Sequence, residues 1–402
     1  MLFYQITTLL LLFFLPFVPK QLDVAIIYVI IFYTALIMPV FLRRIAQIFW
    51  PIRKNAFFNN PSILFFILLL IFGFISLIFS VDQQRSVLQM ALLICYFIIF
   101  VSIGGIFKNA LFPAFTLFAG SIALGLIALY NTFYAQVVNK GSEGVSFLWI
   151  YYGHNHLSAL LLFSIPIGLY LVKRYSGKNS LISSIFASLV LLLIFSLFTT
   201  FARASILSLF IAFCVSSLIF LKSSKLKIAA LSVMILLAVS TVFTTNISLE
   251  QARKIGVKKF ELSFQTRILY WAQTIEIFAK KPLTGFGLDT YKTVSFQNQP
   301  PPLMTYYAHN FFLQILSDTG IFGYLASLAL MFSVLGQGYK HIKCEILNFK
   351  YRDQALLLLA LGIGIFASML NNLVDFDFML PTVSFIFWTM AGILTYNTKY
   401  SG

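Results

Sequence analysis

Four polar residues stand at the head of an apolar run in YAHNFFLQILSDTGIFGY, residues 307–324. His309 carries the side chain whose ordinary pKa lets it give and take protons near neutral pH. Asn310, Gln314 and Asp318 follow at helical intervals and fall on one face. The plainer reading is an interfacial cap and a polar stripe against neighbouring helices. Asp318 would lie about 13 Å further along the axis, out of reach of His309, so it reads as a buried structural carboxylate. Arg203, in FTTFARASILSLF, joins two apolar runs almost without a loop. An ionisable residue at such a boundary is costly and marks a functional site. Its planar fork suits phosphate oxygens, and snorkelling to the head groups is the competing reading. Arg267 opens FQTRILYWAQTIEIFAKKPLTGFG with Trp271 one turn on. That pair fits either an interface anchor or a lipid diphosphate site. Asn155 and His156, in YYGHNHLSALLLF, stand where a helix would begin and where a glycan or phosphate can be touched.

The elements that must position these residues are greasy. The 402 residues are 60% hydrophobic and only 10% charged, against about 25% charged in a soluble domain. Apolar runs of membrane length recur from end to end, without the alternation of barrel strands. The expected fold is an all-α polytopic integral membrane protein. It has about 12 transmembrane helices and one large outer loop containing an amphipathic helix. About nine spans fall in residues 1–243, the ninth at 226–243; the loop covers 244–307; about three spans fill 308–402. The run 308–335 reads as one helix of about 42 Å, longer than a hydrocarbon core of about 30 Å, and so projects outward. Residues 264–280 read as the amphipathic helix on the outer interface, with PLTGFG as the turn that ends it. The first 20 residues lack a basic leader and read as a retained helix.

The formal charge of +16 does not point to nucleic acid, because the basic residues set topology. With both termini in the cytoplasm, cytoplasmic segments hold sixteen Lys and Arg and the short outer segments four. The remaining eight lie in 244–307 beside four acids, which suits an anionic lipid head group. Three cysteines and four histidines show neither disulfide nor metal-ligand spacing, so no metal and no cofactor are expected.

TFARAS at a tight turn, TRILYWAQTIEIFAKKPLTGFG and HNFFLQILSDTGIFGY, in that order, resemble the O-antigen ligase and O-antigen polymerase superfamily. GHNHLSALLLFSIPIGLYL is similar to that family's upstream helix entry. One departure is Ala202, where the family's arginine turn usually carries Ser or Thr. The resemblance, closest to the ligase, implies a metal-independent glycosyltransferase of the bacterial inner membrane, multi-pass, its active site facing the periplasm. It implies a donor glycan on undecaprenyl diphosphate. The acceptor is lipid A-core for a ligase, as in lipopolysaccharide biosynthesis, or another lipid-linked repeat for a polymerase. The family's histidine matches His309, and its two functional arginines match Arg203 and Arg267. These would be the general base and the diphosphate-binding pair, with Asn155, His156, Trp271, Asn310 and Gln314 touching substrate or supporting the site. A flippase or other transporter is the reading of another class, but no internal repeat is visible, and the ionisable residues gather at the outer boundary instead of the midplane.

Overall fold

The computed structural model describes residues 1–18, 23–49, 60–107, 109–138, 154–200, 202–220, 223–225, 227–228, 232, 259–298, 305–347 and 352–395. Among them there is no strand. The helices are α1 Leu2–Phe14, α2 Asp23–Phe49, α3 Pro61–Ile78, α4 Gln83–Ile106, α5 Leu111–Val138, α6 His154–Tyr175 and α7 Ser180–Thr199. They continue with α8 Arg203–Phe220, α9 Lys259–Lys280, α10 Tyr291–Asn298, α11 Phe311–Leu347, α12 Arg352–Asn371 and α13 Pro381–Thr395. Nine of the described helices are long and apolar enough to cross a membrane, and the apolar stretches Leu2–Phe17 and Pro381–Thr395 are shorter. The span expected at 226–243 falls almost wholly outside the described residues. The chain is a polytopic helical membrane protein.

One of the two shorter apolar stretches, Pro381–Thr395, lies at the centre. Every residue of α13 is buried, because α2, α4, α6, α11 and α12 surround it. Trp388 of α13 packs 4.5 Å from the Phe66 ring and 5.8 Å from Phe100, which joins α3 and α4 to it. A Cβ on Gly392 would run into Ile103 and the Phe100 carbonyl, so this helix approaches α4 backbone to backbone. In lipid the hydrophobic effect does not drive helices together, and such close packing does. The outer faces are the reverse of a soluble protein's. Phe32, Phe332, Leu181 and Leu191 are exposed, which suits contact with acyl chains and would be anomalous in water.

Hydrogen bonds define two ends. Ser86, at the start of α4, donates to the Leu288 carbonyl at 2.9 Å. At the other end of α4, Gln5 of α1 donates to the Ile106 carbonyl at 2.7 Å. A helix of 24 residues is about 36 Å long, so these contacts lie a bilayer apart. The Ser86 end gathers the loops after α9 and α12. The other end gathers Arg43, Arg44, Lys173 and Arg174.

Candidate active site

α9 is amphipathic in an unusual sense. Gln273, Thr274 and Ile277 are buried, while Ile268, Leu269 and Ile275 are exposed. Polar bonds hold the inner face: Gln273 donates to Ser295 at 3.0 Å and Thr274 to the Tyr291 hydroxyl at 2.9 Å. The apolar residues turned outward are what an interfacial helix presents to lipid.

After α9, Pro282 stops the helix and the chain turns through Gly285 (φ 67°) and Gly287 (φ 112°). This turn inserts into α11. Phe286 and Gly287 donate their N–H groups to the carbonyls of Ser317 and Asp318 at 3.1 and 3.0 Å, and Ile321 donates to Pro282 at 2.9 Å. Those groups are free because α11 breaks at Gly320 (φ 72°, ψ −174°). The expectation of one uninterrupted projecting helix is therefore corrected: TGFG supplies donors that replace part of the helical ladder. A Cβ on Gly285 would collide with the Asp318 backbone, and one on Gly320 with Leu283. The fully buried Asp318 accepts from the Asp289 N–H at 3.0 Å. Arg85 completes the anchor, 3.3 Å from Asp82 and 3.7 Å from Asp289. Asp318 is structural, as its distance from His309 in sequence suggests.

His309 follows Tyr307 and Ala308 at the mouth of α11. Its backbone is left-handed, φ 51°, a conformation in which His, Asn and Asp are several-fold enriched among non-glycine residues. The neighbours hold it there. Trp271 donates its indole N–H to the His309 carbonyl at 3.2 Å. Asn310 caps the helix by accepting from Leu313 N–H at 3.0 Å. Gln314, fully buried, accepts from Ala308 N–H at 3.2 Å. The imidazole stacks on Tyr270 at 5.8 Å and meets the Phe376 ring edge-on at 4.9 Å.

The decisive partner was not legible as a site in the sequence. Asp375 lies in NNLVDFDF, the connection between α12 and α13, and its side chain is 4% exposed. One carboxylate oxygen stands 3.9 Å from His309 Nδ1 and the other 3.8 Å from Arg267 Nη2. Both distances exceed a hydrogen bond. Burial, and then the Arg267 charge, lower His309 to about 4, so the ring is neutral at pH 7. Next to it, Asp377 accepts from the Asn371 amide at 2.6 Å. Burial and then the Asp375 charge push the Asp377 carboxyl well above the usual range. The available signal was two acids and two asparagines between apolar runs, in a chain with only 12 acids.

Arg267 and His309 thus meet on one carboxylate. Arg203 reaches the same end by another route. It is the exposed first residue of α8, two residues before Ser205, whose hydroxyl donates to Asn371 at 3.1 Å. His156 is buried, 3% exposed, and the side chain of Asn155 lies outside what is described. Among the described residues no three His, Cys, Asp or Glu gather as metal ligands.

Fold and site together define a polytopic membrane protein with a histidine, an arginine and a buried carboxylate gathered at one end of its helices. Residues 186–328, which include Arg203, Arg267 and His309, match a family model described as O-antigen ligase. No curated protein matches the chain.

Proposed function

We propose that this protein is an O-antigen ligase. It transfers a glycan from undecaprenyl diphosphate to lipid A-core on the periplasmic side of the inner membrane, without a metal. Both termini are cytoplasmic in this reading, and the His309 end of the bundle faces the periplasm. The observation that carries it is the meeting of neutral His309 and cationic Arg267 on Asp375, within the family-matched segment.

The acceptor hydroxyl gives its proton to His309 as its oxygen bonds to the anomeric carbon of the donor sugar. The bond from that carbon to the diphosphate oxygen breaks, and undecaprenyl diphosphate leaves with the electron pair. Arg267 and Arg203 offset the charge that develops on the leaving group. Asp375 stands beside Nδ1 to stabilise the imidazolium that results. Exposed Ile268 and Leu269 of α9 are placed to guide the polyprenyl chain.

The polymerase reading uses the same residues with a second lipid-linked repeat as acceptor, and the family match over residues 186–328 supports it as well. The test uses purified protein, an undecaprenyl-diphosphate glycan and no added metal, with lipid A-core or with further donor alone. Glycan on lipid A-core is the expected product. Longer chains still on the carrier would replace the ligase by the polymerase. Intact donor in both arms would remove both enzymes and leave transport.

A further inference from the structure

Among the described residues, no hydrogen bond sets the direction of the His309 ring. Nδ1 is buried without a hydrogen-bond partner, and the nearer oxygen of Asp375 stands 3.9 Å away, beyond hydrogen-bond range. A histidine that acts as a base needs such a direction, because its lone pair must point at one substrate proton. The backbone does not supply it. The bonds from Trp271 and to Gln314 fix the main chain at His309 and Ala308, and the torsion of an imidazole about its own bond is broad.

Two aromatic walls supply the direction. Tyr270 lies nearly parallel to the imidazole, with centroids 5.8 Å and planes 18° apart. Phe376 stands across it at 4.9 Å and 84°. Both are favoured arrangements of ring pairs. Each wall is anchored in turn. Phe376 lies flat on Tyr307 at 4.1 Å and 9°, and its N–H donates to Asp375 at 3.0 Å. The Tyr270 carbonyl accepts from the Thr274 hydroxyl at 2.6 Å and from the hydroxyl of fully buried Tyr291 at 3.4 Å. Adjacent residues of α9 thus hold His309 twice, by the ring of Tyr270 and by the indole of Trp271.

Such a slot fixes the plane of the imidazole. Two orientations remain, related by a half-turn that exchanges Nδ1 with a ring carbon. The charge of Asp375 selects the one with Nδ1 inward, its N–H facing the carboxylate. A neutral imidazole carries one N–H, so the lone pair then lies on Nε2. The side chain is 29% exposed although Nδ1 is buried, so the open part of the ring lies away from Nδ1.

We propose that Tyr270 is a positioning residue: its ring, opposed by Phe376, holds the His309 imidazole with Nε2 toward the acceptor hydroxyl. The task given to that nitrogen rests on the reading of His309 as the base. Stacking takes the place of the hydrogen bond that a carboxylate makes in a closer histidine pair. If Tyr270 were only apolar filling beneath α9, any bulky side chain would serve.

The test compares Tyr270→Leu, which keeps bulk without a ring, with Tyr270→Phe, which returns the ring. With the lipid-linked donor and lipid A-core, Tyr270→Leu should lower kcat about tenfold at unchanged KM, and Tyr270→Phe should recover most of that loss. Added to His309→Asn, Tyr270→Leu should cost nothing further, since its effect runs through the missing imidazole. A raised KM, or a further loss in that background, overturns the proposal by placing Tyr270 on the substrate. A second readout needs no turnover. In protein labelled with ¹⁵N-histidine, the His309 signals are those lost in His309→Asn. They should report a single Nδ1–H tautomer in the parent and in Tyr270→Phe, and an average of both tautomers in Tyr270→Leu. An unchanged spectrum in Tyr270→Leu overturns the positioning role. A changed spectrum in a protein that transfers no glycan upholds it and removes the transferase reading instead. If Tyr270→Leu does not fold, the parent spectrum decides, and mixed tautomers there refute the slot.

Discussion

Two buried carboxylates at one end of the bundle each accept a backbone N–H at 3.0 Å but differ in what else they face. Asp318 is enclosed. Its side chain takes a backbone N–H at 3.0 Å, and the backbone around it is cross-bonded to a glycine turn. Asp375 is also buried and its carboxylate accepts the Phe376 N–H at 3.0 Å, while its ion-pair partners stand at 3.8 and 3.9 Å with 20% and 29% of their side chains exposed. The backbone bonds between the turn and α11 around Asp318 fix a shape. The contacts of Asp375 with a cation and a neutral base are longer and looser, and those two side chains are partly exposed. In the proposed reaction the first cluster is the platform and the second carries the chemistry.

Breaking the loose cluster should cost activity without stability. His309→Ala should lower transfer about 10²–10⁴-fold, the usual worth of a general base. His309→Asn is the sharper variant, since asparagine tolerates the left-handed backbone; it should fold as the parent does and be equally inactive. Near-normal transfer by either protein would remove His309 as the base. Breaking the cross-bonded turn should do the reverse. Gly320→Ala places a Cβ at positive φ against the Leu283 backbone and should cost about 2–4 kcal/mol of stability. A thermal unfolding curve unchanged by it would show that the helix break is not needed.

The electrostatic part of the contrast has a pH signature. His309 is lowered to about 4 by burial and by Arg267. Below that pH the ring is protonated and cannot accept a proton, so kcat/KM should fall on the acid side near pH 4 and stay flat to neutrality. Arg267→Gln removes a charge that opposes protonation. The His309 pKa then rises, and the acid limb should move to higher pH, whatever happens to the rate itself. A limb that stays in place would mean that Arg267 does not act on His309. The smallest effect is expected at Asp318→Asn. The amide keeps an acceptor for the Asp289 N–H, so stability and transfer should both change little, by about 1 kcal/mol or less. A large loss of transfer with intact folding would move Asp318 into the chemistry.

The helical membrane architecture was legible because it rests on local composition. Runs such as PSILFFILLLIFGFISLI in α3 can satisfy their backbone in lipid only as helices. Arg203, Arg267 and His309 stood out because charged and titratable residues are scarce in such a chain. The amphipathic stretch 264–280 was also visible, and the structure extends it to Lys259–Lys280. The break in α11 was not. Gly320 inside a helical pattern is usually tolerated as helix, and only the inserted turn 282–287 supplies the bonds that make the break stable.

The sequence by itself determined a helical membrane protein, the places where its helices turn, and three residues whose chemistry is expensive in lipid. All of these follow from neighbours close along the chain. Tertiary structure alone decided that Asp375, 66 positions after His309 and 108 after Arg267, stands between them. It also decided that the carboxyl of Asp377 beside it is pushed well above the usual range, and that α13 fills the centre. The physical reason is the same for each. A pKa, an ion pair and a burial depend on what lies within a few ångströms in space, and no local pattern records that.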